Sequence, residues 1–289
     1  MKSTSYRIHI LSETDIPDLI ALSDSVGWDY EEAELRTILS IGSVFGHKDE
    51  SDQLVSCSAI IRYEESLATI GMVIVHAACR GYGLGRDLMQ ACIDFVSDET
   101  AIMLVATAEG QPLYESLGFV TAEYIHKCLS DHFAPAREEM LEAADEPALY
   151  PMKHDDLADV IELDGQAVGS RRSLFLQTRM KQAKTCIAAK DASGKMVGYG
   201  FAVLGPVNLV IGPIVALDSA LAIRILSQLT KGHTGKVRID VPDGQEAFLS
   251  YLQQNGFQKV AEPPVMVANT DRLPSRNGTY FGIGAQIFG

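Results

Sequence analysis

Three glycines within five residues, Gly81, Gly83 and Gly85, form a cluster with a clear chemical use. The apolar run at residues 70–75 predicts a strand before them, and apolar residues at helical spacing predict a helix after them. A helix leaves its first N–H groups unpaired, and its dipole adds about half a positive charge at that end. Glycines allow a tight turn and the close approach of a bulky anion. We therefore predict a phosphate site at residues 80–86.

The spacing of these glycines excludes two common phosphate motifs. A dinucleotide fold needs a third glycine where this chain has Arg86, and a P-loop needs a Gly-Lys-Ser/Thr sequence that is absent. A glycine-rich turn without a ligand is the alternative to an anion site. Each glycine costs about 1 kcal/mol relative to alanine in a helix, so a cluster without a function is disfavoured.

A second pattern of residues that could take part in a reaction centres on Tyr114. The segment 111–119 predicts a short helix, with Pro112 near its start and Gly118 at its C-terminal end. Between the two patterns, residues 101–106 form a nearly continuous apolar run, which is typical of a parallel strand covered on both faces. The order is therefore strand, glycine turn, helix, strand and tyrosine helix.

This order resembles the GNAT N-acetyltransferases over about residues 5–130. The resemblance is based on two motifs, R-x-x-G-x-G, which begins at Arg80, and Y-x-x-x-G-F, which begins at Tyr114. The resemblance implies that acetyl-CoA is the cofactor, that the glycine turn holds its pyrophosphate, and that Tyr114 faces its sulfur. The cofactor-binding residues predicted on this basis are Val73, Ile74, Val75, Arg80, Gly81, Tyr82, Gly83, Leu84, Gly85 and Arg86.

The reaction implied by the resemblance is direct attack of an amine on the acetyl thioester in a ternary complex. A backbone N–H within residues 72–75 is predicted to polarise the thioester carbonyl. Tyr114, with an ordinary pKa near 10, is the predicted acid for the leaving thiolate. A free lysine-like amine is neutral in only about one molecule per thousand at pH 7, so a base is needed. His76, just after the strand, is the candidate base, and its alternative role is that of a capping or exposed loop residue.

Trp28, the only tryptophan, lies in a polar loop between two predicted helices. One interpretation is a packing anchor, because tryptophan is usually buried for its area. The other, which follows from the resemblance, is an aromatic wall of the substrate-binding pocket. The two roles are compatible.

Composition limits the class of protein. The net charge of −14 argues against nucleic acid as a partner and is compatible with a cationic amine. No apolar run is long enough for a membrane span, and the N-terminus lacks a signal-peptide core, so we expect a cytoplasmic protein without a membrane partner. Five cysteines without C-x-x-C spacing predict free thiols rather than disulfides or a zinc site.

The second half of the chain repeats the pattern of the first. Residues 209–215, 219–229 and 237–242 parallel the strand, helix and strand around the glycine turn, but no glycines precede the second helix. Leu252 occupies the position that corresponds to Tyr114. This half therefore resembles a GNAT domain that has lost its phosphate site and its acid.

We thus predict an α/β fold (α+β, mixed sheet) of two tandem acyl-CoA N-acyltransferase (GNAT) domains, each a mixed central sheet flanked by helices. The predicted limits are a catalytic domain at 1–130, a linker at 131–147 with a short helix at 136–144, and a degenerate domain at 148–289. The second domain has three open roles: shaping the acceptor pocket, binding a regulatory ligand, or stabilising the first domain. Arg171, Arg172 and Arg179 are interpreted as part of a solvated helix face, with anion binding as the alternative.

The predicted function is an N-acetyltransferase acting on a primary amine, with a small molecule as its partner and a homodimer left open. The alternative is a non-catalytic acyl-CoA sensor built on the same fold. A nicotinamide dehydrogenase is disfavoured by Arg86 and by the meander of strands that precedes the glycine turn.

Overall fold

The computed structural model describes residues 6–64, 66–133 and 146–289. In these residues α-helices and β-strands alternate in two similar halves. The first half contains β1 (Arg7–Leu11), α1 (Ile16–Asp24), α2 (Glu32–Ile41), β2 (Gly42–Lys48), β3 (Leu54–Tyr63), β4 (Leu67–Val75), α3 (Leu84–Ile93), β5 (Ala101–Val105), α4 (Gln111–Ser116) and β6 (Val120–Ser130). The second half contains β7 (Ala148–Pro151), α5 (Leu157–Val168), α6 (Ser173–Gln182), β8 (Thr185–Lys190), β9 (Met196–Leu204), β10 (Leu209–Ala216), α7 (Ser219–Leu229), β11 (Val237–Pro242), α8 (Glu246–Gln254), β12 (Gln258–Ala261), β13 (Pro264–Ala268) and β14 (Tyr280–Gly282).

The repeat extends to single side chains at the start of each half. In the first half, the Asp15 carboxylate accepts the N–H of Ser12 at 2.8 Å and pairs with Lys48 of β2 at 2.8 Å. In the second half, Asp156 accepts the N–H of Lys153 at 2.9 Å and pairs with Lys190 of β8 at 2.9 Å. Burial alone would raise the pKa of both carboxyls, but these hydrogen bonds outweigh it and hold each pKa below its usual range.

The strands form one connected mixed sheet, with β4–β5 and β10–β11 as parallel pairs. The two halves exchange the ends of their chains within it. The first part of β6 lies at the outer edge of the first half, beside β13, and its second part inserts next to β11. In return, β12 lies beside β6 in the second half, and β13 inserts between β5 and β6. Each half is therefore completed by a strand of the other half.

The parallel pair β4–β5 opens partway along its length. Its ladder runs from Leu67–Ala101 to Ile70–Leu104 and stops there, while β4 continues to Val75. A β-bulge follows the last pair, and Met72 has a positive φ of 54°. On the side that faces β5, no described strand pairs with residues 71–75, which leaves a wedge in the sheet.

The corresponding wedge of the second half is filled by its own chain. The ladder between β10 and β11 stops at Ile211–Ile239. Beyond that point β14 pairs with β10, and the N–H of Ile283 donates to the carbonyl of Asp240 in β11 at 2.9 Å. Gly212 permits this approach, since a Cβ there would lie 1.9 Å from the carbonyl oxygen of Ile283. The two wedges are thus equivalent in topology but not in accessibility.

Two arginines of the second half lie in the interior. Arg172 binds Asp164 through Nε and Nη2 at 2.9 and 2.7 Å and donates Nη1 to the carbonyls of Phe288 and Gly289. Arg179 pairs with Glu34 at 2.5 Å, which joins α6 to α2 of the first half. Both are about 1% exposed, so the interpretation as a solvated face was wrong for them, whereas Arg171 is exposed. Arg179 pairs with a residue far away in sequence, and Arg172 binds Asp164 and the C-terminal carbonyls, contacts that the local pattern does not show.

The predicted linker helix at 136–144 lies outside the described residues. All five cysteines are free, as expected. Within the described ranges no cluster of side chains has the composition of a metal site. None of the described helices has the length and apolarity needed to cross a bilayer.

Candidate active site

The glycine turn joins the open wedge to helix α3. Gly81 and Gly83 have φ values of +83° and +85°, and a Cβ on either would meet nothing within 4 Å. Their conformation therefore requires glycine, and their surroundings are open. Gly83 is the N-cap of α3, whose first N–H groups have no partner within the helix. Gly85 packs against α4, where a Cβ would lie 3.3 Å from Leu113. This geometry suits an anionic group held by backbone N–H donors.

Charged and aromatic side chains of the turn are available on its surface. Arg80 and Arg86 are exposed, and Tyr82 is 66% exposed. Arg86 donates to the hydroxyl of Ser116 at 2.6 Å, which ties the turn to α4. Leu84 is buried and anchors the first turn of α3. On β4, Ile74 is buried, and Val73 and Val75 are partly buried at the wedge.

A cavity of about 280 Å³ lies where the wedge meets the second half. It is lined by the loop before α2, by the wedge strands, by β6 and β11, and by the C-terminal segment. From the wedge come Ile70, Gly71, Met72, Val105 and Thr107; from the second half come Val203, Gly205, Pro206, Asn208, Val210, Ala285, Gln286 and Ile287. Both halves therefore build this cavity.

Trp28 lines the cavity as part of the loop between α1 and α2. The hydroxyl of Ser23, which is buried, donates to the Trp28 carbonyl at 3.1 Å and accepts the N–H of Tyr30 at 3.4 Å. The Trp28 and Tyr30 rings lie 6.2 Å apart. The side chain also packs against the main hydrophobic core. This residue thus lies both against the core and at the cavity wall.

Charged side chains of both signs line the cavity. The acidic ones belong to the loop before α2 and to α2, and are Asp29, Glu31 and Glu34; the basic ones are Lys127, Arg179 and Arg238. Burial, together with the charges of Glu34 and Asp29, raises the pKa of Glu31. Burial and the charge of Arg238 lower the pKa of Lys127. The sequence interpretation did not include any of these residues in the site.

Tyr114 lies on α4, and its ring packs against Phe119 at 6.2 Å. It is 6% exposed, and its hydroxyl makes no hydrogen bond to any other residue in the described ranges. Burial raises its pKa to about 12, above the ordinary value near 10 used in the sequence argument. The hydroxyl is therefore protonated throughout the physiological range and can act as a donor.

His76 lies at the end of β4 and caps a short 3-10 helix. Its Nδ1 accepts the N–H of Ala78 at 3.3 Å. In the neutral ring this contact occupies the lone pair of Nδ1 and places the proton on Nε2. While the contact is made, neither ring nitrogen has a free lone pair for base catalysis. His76 does not line the cavity. The contact matches the capping role considered for it, and its role as a base stays a prediction.

Comparisons with known proteins agree with this architecture. Two family models, each described as an acetyltransferase (GNAT) domain, match residues 30–127 and 160–282. The uncharacterized N-acetyltransferase YitH of Bacillus subtilis is 34% identical over 280 residues, which cover 96% of this chain and 97% of that protein. This chain belongs to the GNAT acetyltransferase family. It is an acyltransferase enzyme with two GNAT domains in tandem.

Solved structures of GNAT proteins share the whole fold. A Pyrococcus horikoshii protein classed as an acetyltransferase aligns with a TM-score of 0.82 at 19% identity, over 100% of this chain and 98% of that one. A tandem GNAT protein from the clavulanic acid biosynthesis pathway aligns with a TM-score of 0.67 at 14% identity, over 91% of this chain and 98% of that one. At these identities the likeness concerns the fold, and it confirms the predicted mixed α/β tandem GNAT architecture.

Proposed function

We propose that this GNAT enzyme transfers the acetyl group of acetyl-CoA to a primary amine of a small molecule, by direct attack in a ternary complex. The observation that carries the proposal is the open wedge between β4 and β5. It has the glycine turn beside it, and it leads into a cavity built by both halves. A slot of this kind admits an extended thioester arm from one side and an acceptor from the other.

The residues of the first half fit acetyl-CoA. Its pyrophosphate would be bound by the N–H groups at the start of α3, with Arg80 and Arg86 close by. A backbone N–H of β4 near the bulge at Met72 would polarise the thioester carbonyl. The Tyr114 hydroxyl would donate to the sulfur as negative charge develops there. With a pKa of about 12 it is a weaker acid than expected, but apolar surroundings also raise the pKa of a thiol.

The acceptor amine would bind in the cavity beside Trp28. The carboxylates of Asp29 and Glu31 favour an ammonium group there, and one of the bases of the site must then deprotonate it. His76 is the proposed base, and in that role its Nδ1 must first release the Ala78 N–H. The raised pKa of Glu31 makes that carboxylate the alternative, because a carboxyl with a raised pKa accepts a proton more readily near neutral pH.

The proposal is tested by release of free thiol from acetyl-CoA in the presence of a panel of small amines. We expect acetylation of at least one amine, detected by the mass of the product. Tight binding of CoA without turnover across a broad panel would instead support a non-catalytic acyl-CoA sensor. Binding of NAD with no response to CoA would contradict both.

A further inference from the structure

Different elements bring charges of opposite sign to the cavity. Asp29 and Glu31, from the loop before α2, contribute carboxylates, whereas Lys127 on β6 and Arg238 on β11 contribute cations. The negative charge of Asp29 acts on both cations: it opposes the lowering of the Lys127 pKa and favours the charged form of Arg238. Carboxylates and cations therefore line the same space of about 280 Å³.

The partners of these charges show which ones a ligand could use. Arg179 is already paired with Glu34. Arg238 binds Asp240 through Nε at 3.0 Å and Nη2 at 2.5 Å, which fixes its guanidinium. In the part of the chain that the structure describes, Nη1 of Arg238 has no partner. Lys127 makes no hydrogen bond and no ion pair there.

Lys127 makes no contact in the described residues that requires a cation. It is half-buried, and burial together with the neighbouring Arg238 lowers its pKa, which the charges of Asp240 and Asp29 offset only in part. Methionine would fill a similar volume at this strand position without a half-buried charge. A half-buried cation without a partner, beside an oriented arginine, is the arrangement expected where a ligand supplies the missing negative charge.

We propose that the acceptor is a zwitterionic small molecule, whose amine faces Asp29 and Glu31 and whose anionic group is bound by Lys127 and Arg238. This inference rests on the proposed acetyltransferase function and specifies its substrate class as an amine that also carries a carboxylate or phosphate. Lys127 comes from the first half and Arg238 from the second. They are brought together because β6 inserts beside β11, with Lys127 directly opposite Asp240 in the ladder.

The test compares matched pairs of acceptors on the full-length enzyme. Each pair has the same amine with and without the anion: amino acids against their amides, and aminoalkyl phosphates against the corresponding amino alcohols. We expect kcat/KM to be at least about tenfold higher for the anionic member of at least one series, and the responding series distinguishes carboxylate from phosphate. In Lys127→Met the ratio of kcat/KM between the anionic and the neutral member should fall to about one. In Lys127→Arg most of the wild-type ratio should be kept.

Lys259→Met is the matched control, because it removes the same charge from β12, next to β6. Lys259 is 48% exposed, pairs with Glu262 and does not line the cavity. It should keep the wild-type preference. The affinity for CoA, measured by calorimetry, should be the same in the wild type and in all three variants. Unchanged affinity shows that Lys127→Met is folded.

The outcomes separate this inference from the proposed function. If neutral amines are acetylated as well as their anionic partners, and Lys127→Met has no effect on the ratio, the zwitterion inference is overturned while the acetyltransferase function stands. If no amine is acetylated, the proposed function fails. In that case the zwitterion inference is tested by calorimetric binding of the same pairs to the CoA-loaded protein. Stronger binding of the anionic member that is lost in Lys127→Met supports the inference. Equal binding of both members overturns it.

Discussion

Tyr114 combines a buried ring with a hydroxyl to which no residue of the described ranges is hydrogen-bonded. Unlike the ring, the hydroxyl is not sealed from solvent, so it is accessible to a ligand atom. Removal of the hydroxyl leaves the ring packing intact and strands no protein donor or acceptor. Its effect on stability should therefore be small, which makes this position suitable for separating chemistry from folding.

We expect Tyr114→Phe to lower kcat at least about tenfold while the Kd for CoA and the Tm stay the same. The reason is that only the donor to the leaving sulfur is lost. Steady-state kinetics measure kcat, titration calorimetry measures the Kd for CoA, and a thermal melt measures the Tm. Unchanged kcat would remove Tyr114 from the mechanism.

His76 is tested by a substitution that keeps its structural contact. Asparagine is a good N-cap residue and can accept the Ala78 N–H as His76 does, but it cannot act as a base. If His76 is the base, His76→Asn should lower kcat/KM at least about tenfold at pH 7 and remove the acidic limb of the pH–rate profile. A wild-type profile would restrict His76 to capping, and Glu31→Gln should then remove that limb instead.

At the scale of elements, the two equivalent wedges explain which half can bind CoA. The wedge between β4 and β5 is open, whereas β14 and Ile283 fill the wedge between β10 and β11 through backbone hydrogen bonds to both strands. The turn before α7 also lacks glycines, and the Asp218 carboxylate caps that helix by accepting the Leu221 N–H at 2.9 Å. A carboxylate at this position repels a phosphate.

We therefore expect one CoA per chain in calorimetry, bound at the first half alone. Gly83→Val should lower the affinity at least about tenfold, because its side chain would stand among the N–H donors. Gly194→Val is the matched control: it has the same φ of +85° and the same open space, but lies in a distant hairpin turn. Both variants should lose similar stability, about 1–2 kcal/mol. Two bound CoA per chain, or equal loss of affinity in both variants, would contradict this assignment.

Most elements of the fold could be predicted from local sequence. Periodicity and turn residues correctly indicated the strand at 237–242 and the helix at 219–229, and the run at 101–106 contains β5. The helix after the glycine turn ends at Ile93, before Phe95, which packs edge-on against Phe45. Helix ends are set by such tertiary contacts as well as by the apolar spacing.

The composition of the cavity could be predicted only in part. For Trp28, a wall of the acceptor pocket was one of two interpretations, and it followed from the resemblance to GNAT proteins. Nothing in the sequence predicted Lys127 and Arg238 as cavity residues, because each has the pattern of an ordinary polar residue in an alternating strand. Their proximity depends on which strand lies beside β11. Local patterning does not encode that choice, because β6 and β13 would suit either sheet.

At the scale of the whole molecule, the exchanged strands bind the two halves into one cooperative unit. Removal of β13 would leave β5 and β6 without their common neighbour, and removal of β6 would do the same to β11 and β12. The buried pair Arg179–Glu34 connects α6 to α2 across the same boundary. Unfolding of one half should therefore unfold the other.

Leu252→Ala tests this cooperativity, because Leu252 is fully buried in the second half and Trp28, the only tryptophan, belongs to the first. The cavity left by the leucine should cost about 2–5 kcal/mol, which corresponds to a fall in Tm of roughly 5–10 °C. We expect the same fall by Trp28 fluorescence and by circular dichroism. Leu217→Ala, at an exposed leucine of the same half, should leave the Tm unchanged by both methods. A fluorescence transition that stays at the wild-type temperature would show that the halves unfold independently.

The exchanged strands also restrict how a substrate can enter. In many two-domain enzymes a cleft opens when the domains rotate about a linker, but here such a rotation would break the backbone ladders of β6 with β11 and of β13 with β5. The cavity walls are thus held at a constant separation. Entry and exit must rely on the loops at its rim, around Trp28 and Pro206, and acceptors should be selected by their length between amine and anion rather than by closure of the enzyme around them.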